Sequence, residues 1–161
     1  MRIKNIVENL CRKHKTRDPV ELARSLGIYV FFEPLGNIQG YYNKSRNQKM
    51  IHVNCCLSEE SKKITCAHEL GHAVLQPDSN TPFLKNNTFM VVNKMEIEAN
   101  RFMVDLLHTD EDMLEYIHYT IPEIACCLNL DESIVKYRME VIDPIQLTFD
   151  TIEKTAPLYY E

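Results

Sequence analysis

The stretch Cys66-Ala67-His68-Glu69-Leu70-Gly71-His72 sets two histidines four residues apart, with a glutamate directly after the first. On a helix, His68 and His72 project from one face a turn apart, so both imidazoles can bind a single ion. Glu69 lies about 100° further round. Its carboxylate falls beside such an ion, where it can take a proton from water. These residue types at this spacing fit zinc-dependent hydrolysis. A shuffled chain of this composition would contain HExxH about once in fifty trials, so the neighbourhood has to decide. Ser58 followed by Glu59 and Glu60 predicts a capped, acid-led helix running to about Leu75, where Gln76-Pro77 ends it. Ile64, Ala67, Leu70 and Val74 give that helix a separate apolar stripe with which to pack on a sheet. Gly71 lowers helix propensity by about 1 kcal/mol relative to Ala, a loss tolerated where another element must approach the backbone.

A catalytic zinc takes three protein ligands and leaves a fourth position open. Asp78 stands where a third histidine would complete HExxHxxGxxH, so the ligand must come from elsewhere. The run from Met95 to Phe102 offers two carboxylates. Glu96 and Asn100 share a helix face, whereas Glu98 is turned about 200° from Glu96. Glu96 is therefore the expected ligand, Asn100 a group that can orient a ligating histidine, and Glu98 a solvent-facing carboxylate. His108 would point about 120° away from Glu96 and reads as an ordinary helix-end histidine.

The elements that must hold these groups can be read in outline. Ile3, Ile6, Val7 and Leu10 recur at helical spacing over about 2–14. Asp18-Pro19 caps a second helix that Gly27 ends. Strands are expected at 28–33, 39–43 and 50–54, and their short connections predict antiparallel neighbours. Residues 76–92 read as a long loop carrying a short strand at 89–92. The Glu96 helix is expected from about Asn93, with Met95, Ala99, Phe102, Met103, Leu106 and Leu107 on one stripe. Thr109 caps the next helix, and Thr120-Ile121-Pro122 opens a pair split at Asn129-Leu130-Asp131. The stretch from Pro144 is left unassigned. The expected division is a zinc-hydrolase core over 1–110 and a helical C-terminal subdomain with its tail over 111–161.

The segment Ala67-His68-Glu69-Leu70-Gly71-His72-Ala73-Val74-Leu75, followed by Glu96-Ile97-Glu98-Ala99-Asn100-Arg101-Phe102, closely resembles the ImmA/IrrE family of zinc metallopeptidases, in which an E-x-x-A-N-x-F helix supplies the glutamate ligand. Weaker matches at Asp18–Ala23, Leu26–Ile28, Gly40–Tyr42 and Ile51–Asn54 extend the resemblance over roughly 18–142. It implies an α+β, gluzincin-like domain, with a small three-stranded antiparallel sheet packed on the HExxH helix and a helical C-terminal part. It also implies one Zn2+ per chain and an anti-repressor role, the cleavage of a helix-turn-helix repressor encoded on a phage or other mobile element. After the ligand helix the chain departs from the family pattern, with Phe102-Met103-Val104 and Leu106-Leu107-His108-Thr109 in place of Phe-Ala-Ala and Leu-Leu-Met-Pro. That change bears on the packing behind the site and leaves the metal set untouched.

In the mechanism that follows, zinc on His68, His72 and Glu96 lowers the pKa of water toward about 7. Glu69 takes the proton and returns it to the leaving amine. His52, Tyr41 and Tyr42 are equally placed in the sequence to stabilise the oxyanion or touch substrate, and the strand 50–54 could receive an extended substrate along an edge. With 161 residues, 45% of them hydrophobic and 25% charged, the chain is one globular domain or a domain with a small appendage. No apolar run approaches the roughly 20 residues of a membrane span. The basic start lacks an apolar signal region, and the six cysteines contain no CxxC, so a reduced, cytoplasmic protein is expected. Residues 1–26 carry seven lysines and arginines against three acids, residues 94–161 five against fifteen. The basic arm reads as a solvated helix face, and the net charge of −5 disfavours nucleic-acid binding. Two other readings compete with the protease. One is a helix-turn-helix DNA-binding regulator built on 124–139, which the mixed charges of Glu132, Lys136, Arg138 and Glu140 weaken. The other is a regulator that binds zinc and sequesters a repressor without cutting it.

Overall fold

A computed structural model describes residues 3–78 and 89–142 of the chain. The element order is α1 (Ile3–His14), α2 (Pro19–Ser25), β1 (Ile28–Glu33), β2 (Gly40–Ser45), β3 (Gln48–Asn54), α3 (Glu59–Leu75), α4 (Phe89–Leu107), α5 (Asp110–Leu114), α6 (Ile121–Leu128) and α7 (Glu132–Glu140). It forms two compact units, Met1–Thr109 and Asp110–Glu161.

In the first unit the helix ends follow local chemistry. The Asp18 carboxylate accepts from the backbone N–H groups of Val20 and Glu21, and Pro19 fills the position whose N–H would otherwise be unsatisfied. Gly27 leaves α2 at φ +72°, a conformation open to glycine. Arg46 and Asn47 both take positive φ, forming the two-residue turn whose twist suits the β2–β3 hairpin.

The sheet corrects one expectation. It is mixed, with strand order β1-β3-β2. β2 pairs antiparallel to β3 through Tyr41↔His52 and Tyr42↔Ile51, whereas β1 pairs parallel to β3 through Phe31↔His52 and Val30↔Ile51. The short connection after β1 does reverse the chain, but it steps over the place that β3 later fills. β1 and β2 therefore run in opposite directions without being neighbours. As the centre strand, β3 has no free edge, so the substrate edge expected at 50–54 is not available there.

Ile28, Tyr42, Ile51 and Val53 are buried, and α3 lies against β2 and β3. The opposite face carries Tyr29, Phe31, Tyr41 and His52, with the His52 ring stacked on Phe31 and on Tyr41. α4 packs on α3 and α1. It begins at Phe89, so the expected strand at 89–92 is helix. Val91 and Val92 favour a strand only weakly, and they precede a long amphipathic helix that continues back through them. Residues 79–88 of the expected loop and the stretch from Pro144 lie outside the described residues.

The second unit packs Met113, Ile124, Ala125 and Val135 into its own core. Glu123 accepts from both the backbone N–H and the hydroxyl of Thr120, fixing the start of α6, and Asn129 ends that helix in the left-handed region. Among the described residues no helix is long and apolar enough to cross a membrane. All six cysteines are free thiols.

Candidate metal centre

Helices α3 and α4 bring together His68, His72 and Glu96, one ligand atom of each lying within 4.8 Å of the others. The two Nε2 atoms stand 3.2 Å apart, and the Glu96 oxygens lie 3.2 Å from His68 Nε2 and 3.4 Å from His72 Nε2. Ligand atoms held tetrahedrally at about 2.0–2.1 Å from an ion stand about 3.3–3.4 Å from one another. The separation of the two Nε2 atoms is close to such a tetrahedral edge, Glu96 offers Oε2 to His68 and Oε1 to His72, and a two-imidazole, one-carboxylate set is one that can hold a metal ion such as zinc.

The far side of each ring strengthens the fit. His68 Nδ1 lies 2.8 Å from Asn100 Oδ1, and His72 Nδ1 lies 2.9 Å from Gln76 Oε1. With an amide oxygen on each Nδ1, that nitrogen is the donor, and the Nε2 lone pairs are left for an ion. When Nε2 carries a proton instead of an ion, His68 and His72 donate to Glu96 and hold its carboxyl well below the usual carboxylate range, and a bound ion would take the place of those protons. Burial alone would lower the His72 pKa, but the Glu96 hydrogen bond and the charges of Glu69 and Glu96 outweigh it and raise the pKa overall.

Glu69 is buried beside this cluster, 7% exposed. Burial pushes its carboxyl up against the pull of His68 and His72. The backbone N–H of Tyr42 also donates to it. The Asn54 N–H donates to Gln39 O, and the alternation of an antiparallel ladder then turns the backbone groups of Gly40 and Tyr42 away from β3, toward α3. Gly40 allows this approach. A β-carbon there would meet the Thr65 methyl at 2.5 Å and His52 O at 2.7 Å. Gln39 and Gly40, together with Ile64, Thr65, His68, Glu69, Asn100 and Met103, line a cavity of about 300 Å³.

The structure does not bring His52, Tyr41 or Tyr42 side chains to the cluster. His52 Nδ1 lies 2.6 Å from Glu33, and its ring stacks on Tyr41 on the sheet face opposite α3. The Tyr42 hydroxyl donates to Pro77 O at 2.7 Å, just past the end of α3. His108 is not part of the cluster.

Glu98 is a second correction. Instead of pointing freely to solvent, it accepts a 2.8 Å hydrogen bond from Gln76 Nε2. The helical-wheel angle describes where Glu98 leaves α4. It says nothing of how far a glutamine at the end of α3 can reach to meet it. Gln76 itself carries no motif, and its spacing of four residues from His72 is the one sequence signal that could have marked it.

The family model for Peptidase_M78, the IrrE N-terminal-like domain, matches residues 23–140. The chain belongs to this peptidase family. It is 40% identical over 126 residues to the uncharacterized immunity region protein 2 of Bacillus phage phi105, covering 76% of this chain and 80% of that one. It is 29% identical over 146 residues to the metallopeptidase ImmA of Bacillus subtilis (strain 168), covering 87% and 85%. A metallopeptidase family and a His-His-Glu group able to bind a metal thus coincide in one chain.

Proposed function

We propose that this chain is a cytoplasmic, zinc-dependent endopeptidase of gluzincin type that cleaves a helix-turn-helix repressor and so lifts repression. The convergence of His68 Nε2, His72 Nε2 and the Glu96 carboxylate beside buried Glu69 carries the reading. His68, His72 and Glu96 would hold one zinc ion, with Asn100 fixing the orientation of His68. Bound zinc supplies Lewis-acid polarisation of the scissile carbonyl and acidifies water. Glu69 takes the proton from the attacking water at its carboxylate and delivers it to the leaving amide nitrogen. Its burial favours this exchange, because a carboxyl pushed upward is a stronger base. The outer edge of β2 at Gly40 is where an extended substrate adds, since Gln39 and Gly40 line the same cavity as His68 and Glu69. The repressor substrate rests on the family resemblance and on the phage relative, whose name places it in an immunity region.

The test is zinc content together with cleavage of a repressor encoded beside the gene. Wild-type protein should hold about one zinc, lost or much weakened in His68→Ala and Glu96→Ala and retained in Glu98→Ala. Glu69→Gln should keep zinc and lose cleavage. If Glu69→Gln still relieves repression, the chain acts by sequestration. A folded wild-type chain that takes up no zinc when supplied would overturn both zinc readings.

A further inference from the structure

We propose that Gln76, held in place by Glu98, is a positioning residue that fixes the tautomer and direction of His72. The inference rests on the zinc reading of the His68–His72–Glu96 cluster and adds to it two residues with a defined task. His72 is the more enclosed of the two histidines, its side chain 1% exposed against 20% for His68. Water therefore has little access to its ring, and Nδ1 depends on a protein partner.

Gln76 supplies that partner from the end of the same helix. As the residue that closes α3, it leaves helical geometry at φ −130°, ψ 62° while its backbone N–H still donates to His72 O at 2.9 Å. Its side chain then turns back to place Oε1 2.9 Å from His72 Nδ1. One residue thus contacts both the backbone and the ring of His72.

An amide can turn either end toward a ring nitrogen, and an amide nitrogen facing Nδ1 would select the wrong tautomer. Glu98 removes that ambiguity. Carboxylate oxygens accept, so Gln76 directs Nε2 toward Glu98 Oε2, 2.8 Å away, and Oε1 is left for His72. Nδ1 then carries the proton and Nε2 keeps its lone pair, the state in which imidazole binds a metal. The chain beyond Gln76 is tied to β2, where the Tyr42 hydroxyl donates to Pro77 O and Lys44 pairs with Asp78 at 2.6 Å. These contacts restrain the turn from which the Gln76 side chain starts.

The test measures zinc affinity of the full chain by competition with a chromophoric chelator, alongside thermal unfolding of the metal-free protein. Gln76→Ala should weaken zinc about 10–100-fold, the usual effect of removing a group that orients a ligating histidine. Glu98→Ala should weaken it less, by about 3–10-fold, because Gln76 remains but can turn over. Gln76→Glu alone sets two carboxylates against each other. Combined with Glu98→Gln it exchanges the roles of the two positions and should bring affinity back to within about 3-fold of wild type or above.

Such a recovery is not expected if Gln76 merely closes the helix. Unchanged zinc affinity in Gln76→Ala overturns the inference. Complete loss of zinc in Glu98→Ala, as in Glu96→Ala, also overturns it, because Glu98 would then be a ligand. If Gln76→Ala does not fold, Glu98→Ala and the double variant decide on the same criteria. Wild-type protein that binds no zinc removes the metal reading itself, a result distinct from wild-type binding with unaffected variants.

Discussion

Gly71 of α3 faces the backbone of Ala99 of α4 so closely that a β-carbon at position 71 would stand 3.0 Å from the Ala99 Cα and 3.1 Å from its carbonyl oxygen. The obstacle is helix backbone, which cannot swing aside as a side chain can. Gly71→Ala would gain about 1 kcal/mol of helix propensity in isolation. Spreading α3 from α4 should outweigh that gain and leave the protein about 1–3 kcal/mol less stable, measured as a lower urea midpoint. Because Glu96 lies on α4 and both histidines on α3, zinc affinity should fall as well. A variant more stable than wild type would show that the two helices are not in this contact.

Arg17 links the N-terminal helices to the end of α4. Its guanidinium donates to Asp105 O at 3.1 Å and Leu106 O at 3.4 Å and pairs with Glu8. These carbonyls belong to the last turn of α4, where a cation is favoured by the helix dipole and satisfies acceptors that the helix leaves open. Arg17→Ala should cost about 1–2 kcal/mol, and Arg17→Lys should recover only part, because an ammonium cannot span both the carbonyls and the carboxylate. Denaturant unfolding of the three proteins checks the order.

In the second unit, Arg138 is buried, 1% exposed, and pairs with Asp110, whose side chain is 15% exposed. Asp110→Ala withdraws a counter-charge from a guanidinium that water reaches poorly. Arg138→Met replaces the buried charge by an apolar group and leaves a carboxylate with some access to solvent. Asp110→Ala should therefore be the more destabilising, by about 2–4 kcal/mol against less than about 2 kcal/mol for Arg138→Met. Equal losses would mean that the pair contributes little beyond packing.

The parts of the fold legible in the sequence are those fixed by local chemistry. Asp18-Pro19 and Ser58 mark helix starts, and β-branched and aromatic residues mark three strands. HExxH with Glu96 and Asn100 on one later face marks the cluster that α3 and α4 bring together. Strand order was not legible, because a short connection is compatible both with pairing and with stepping over an intervening strand. The partnership of Gln76 with Glu98 was hidden for a related reason. It joins side chains 22 residues apart through a crossing of two helices, and each residue alone reads as an ordinary polar surface group. The cavity beside Glu69 depends on how closely β2 approaches α3, and Gly40 marks that approach only once Thr65 is seen against it.

Tyr42 offers a pH signature of the contact between β2 and the end of α3. Burial, with a smaller push from Asp78, raises its hydroxyl to about 12 from the ordinary value of 10.0. The hydroxyl donates to Pro77 O, so the folded state favours the protonated form. Between the two values the unfolded chain has released this proton while the native chain retains it. Fewer protons are then bound in the unfolded state, and stability falls as pH rises. The contribution is fully present below about pH 10 and is lost on passing through about 12. Tyr42→Phe should remove this component, making the alkaline limb of stability against pH shallower than in wild type, while the lost hydrogen bond lowers stability at neutral pH by about 1 kcal/mol. Urea midpoints of both proteins from pH 7 to about 11.5 would show the difference. Parallel pH profiles would mean that the Tyr42 hydroxyl is not held in this contact.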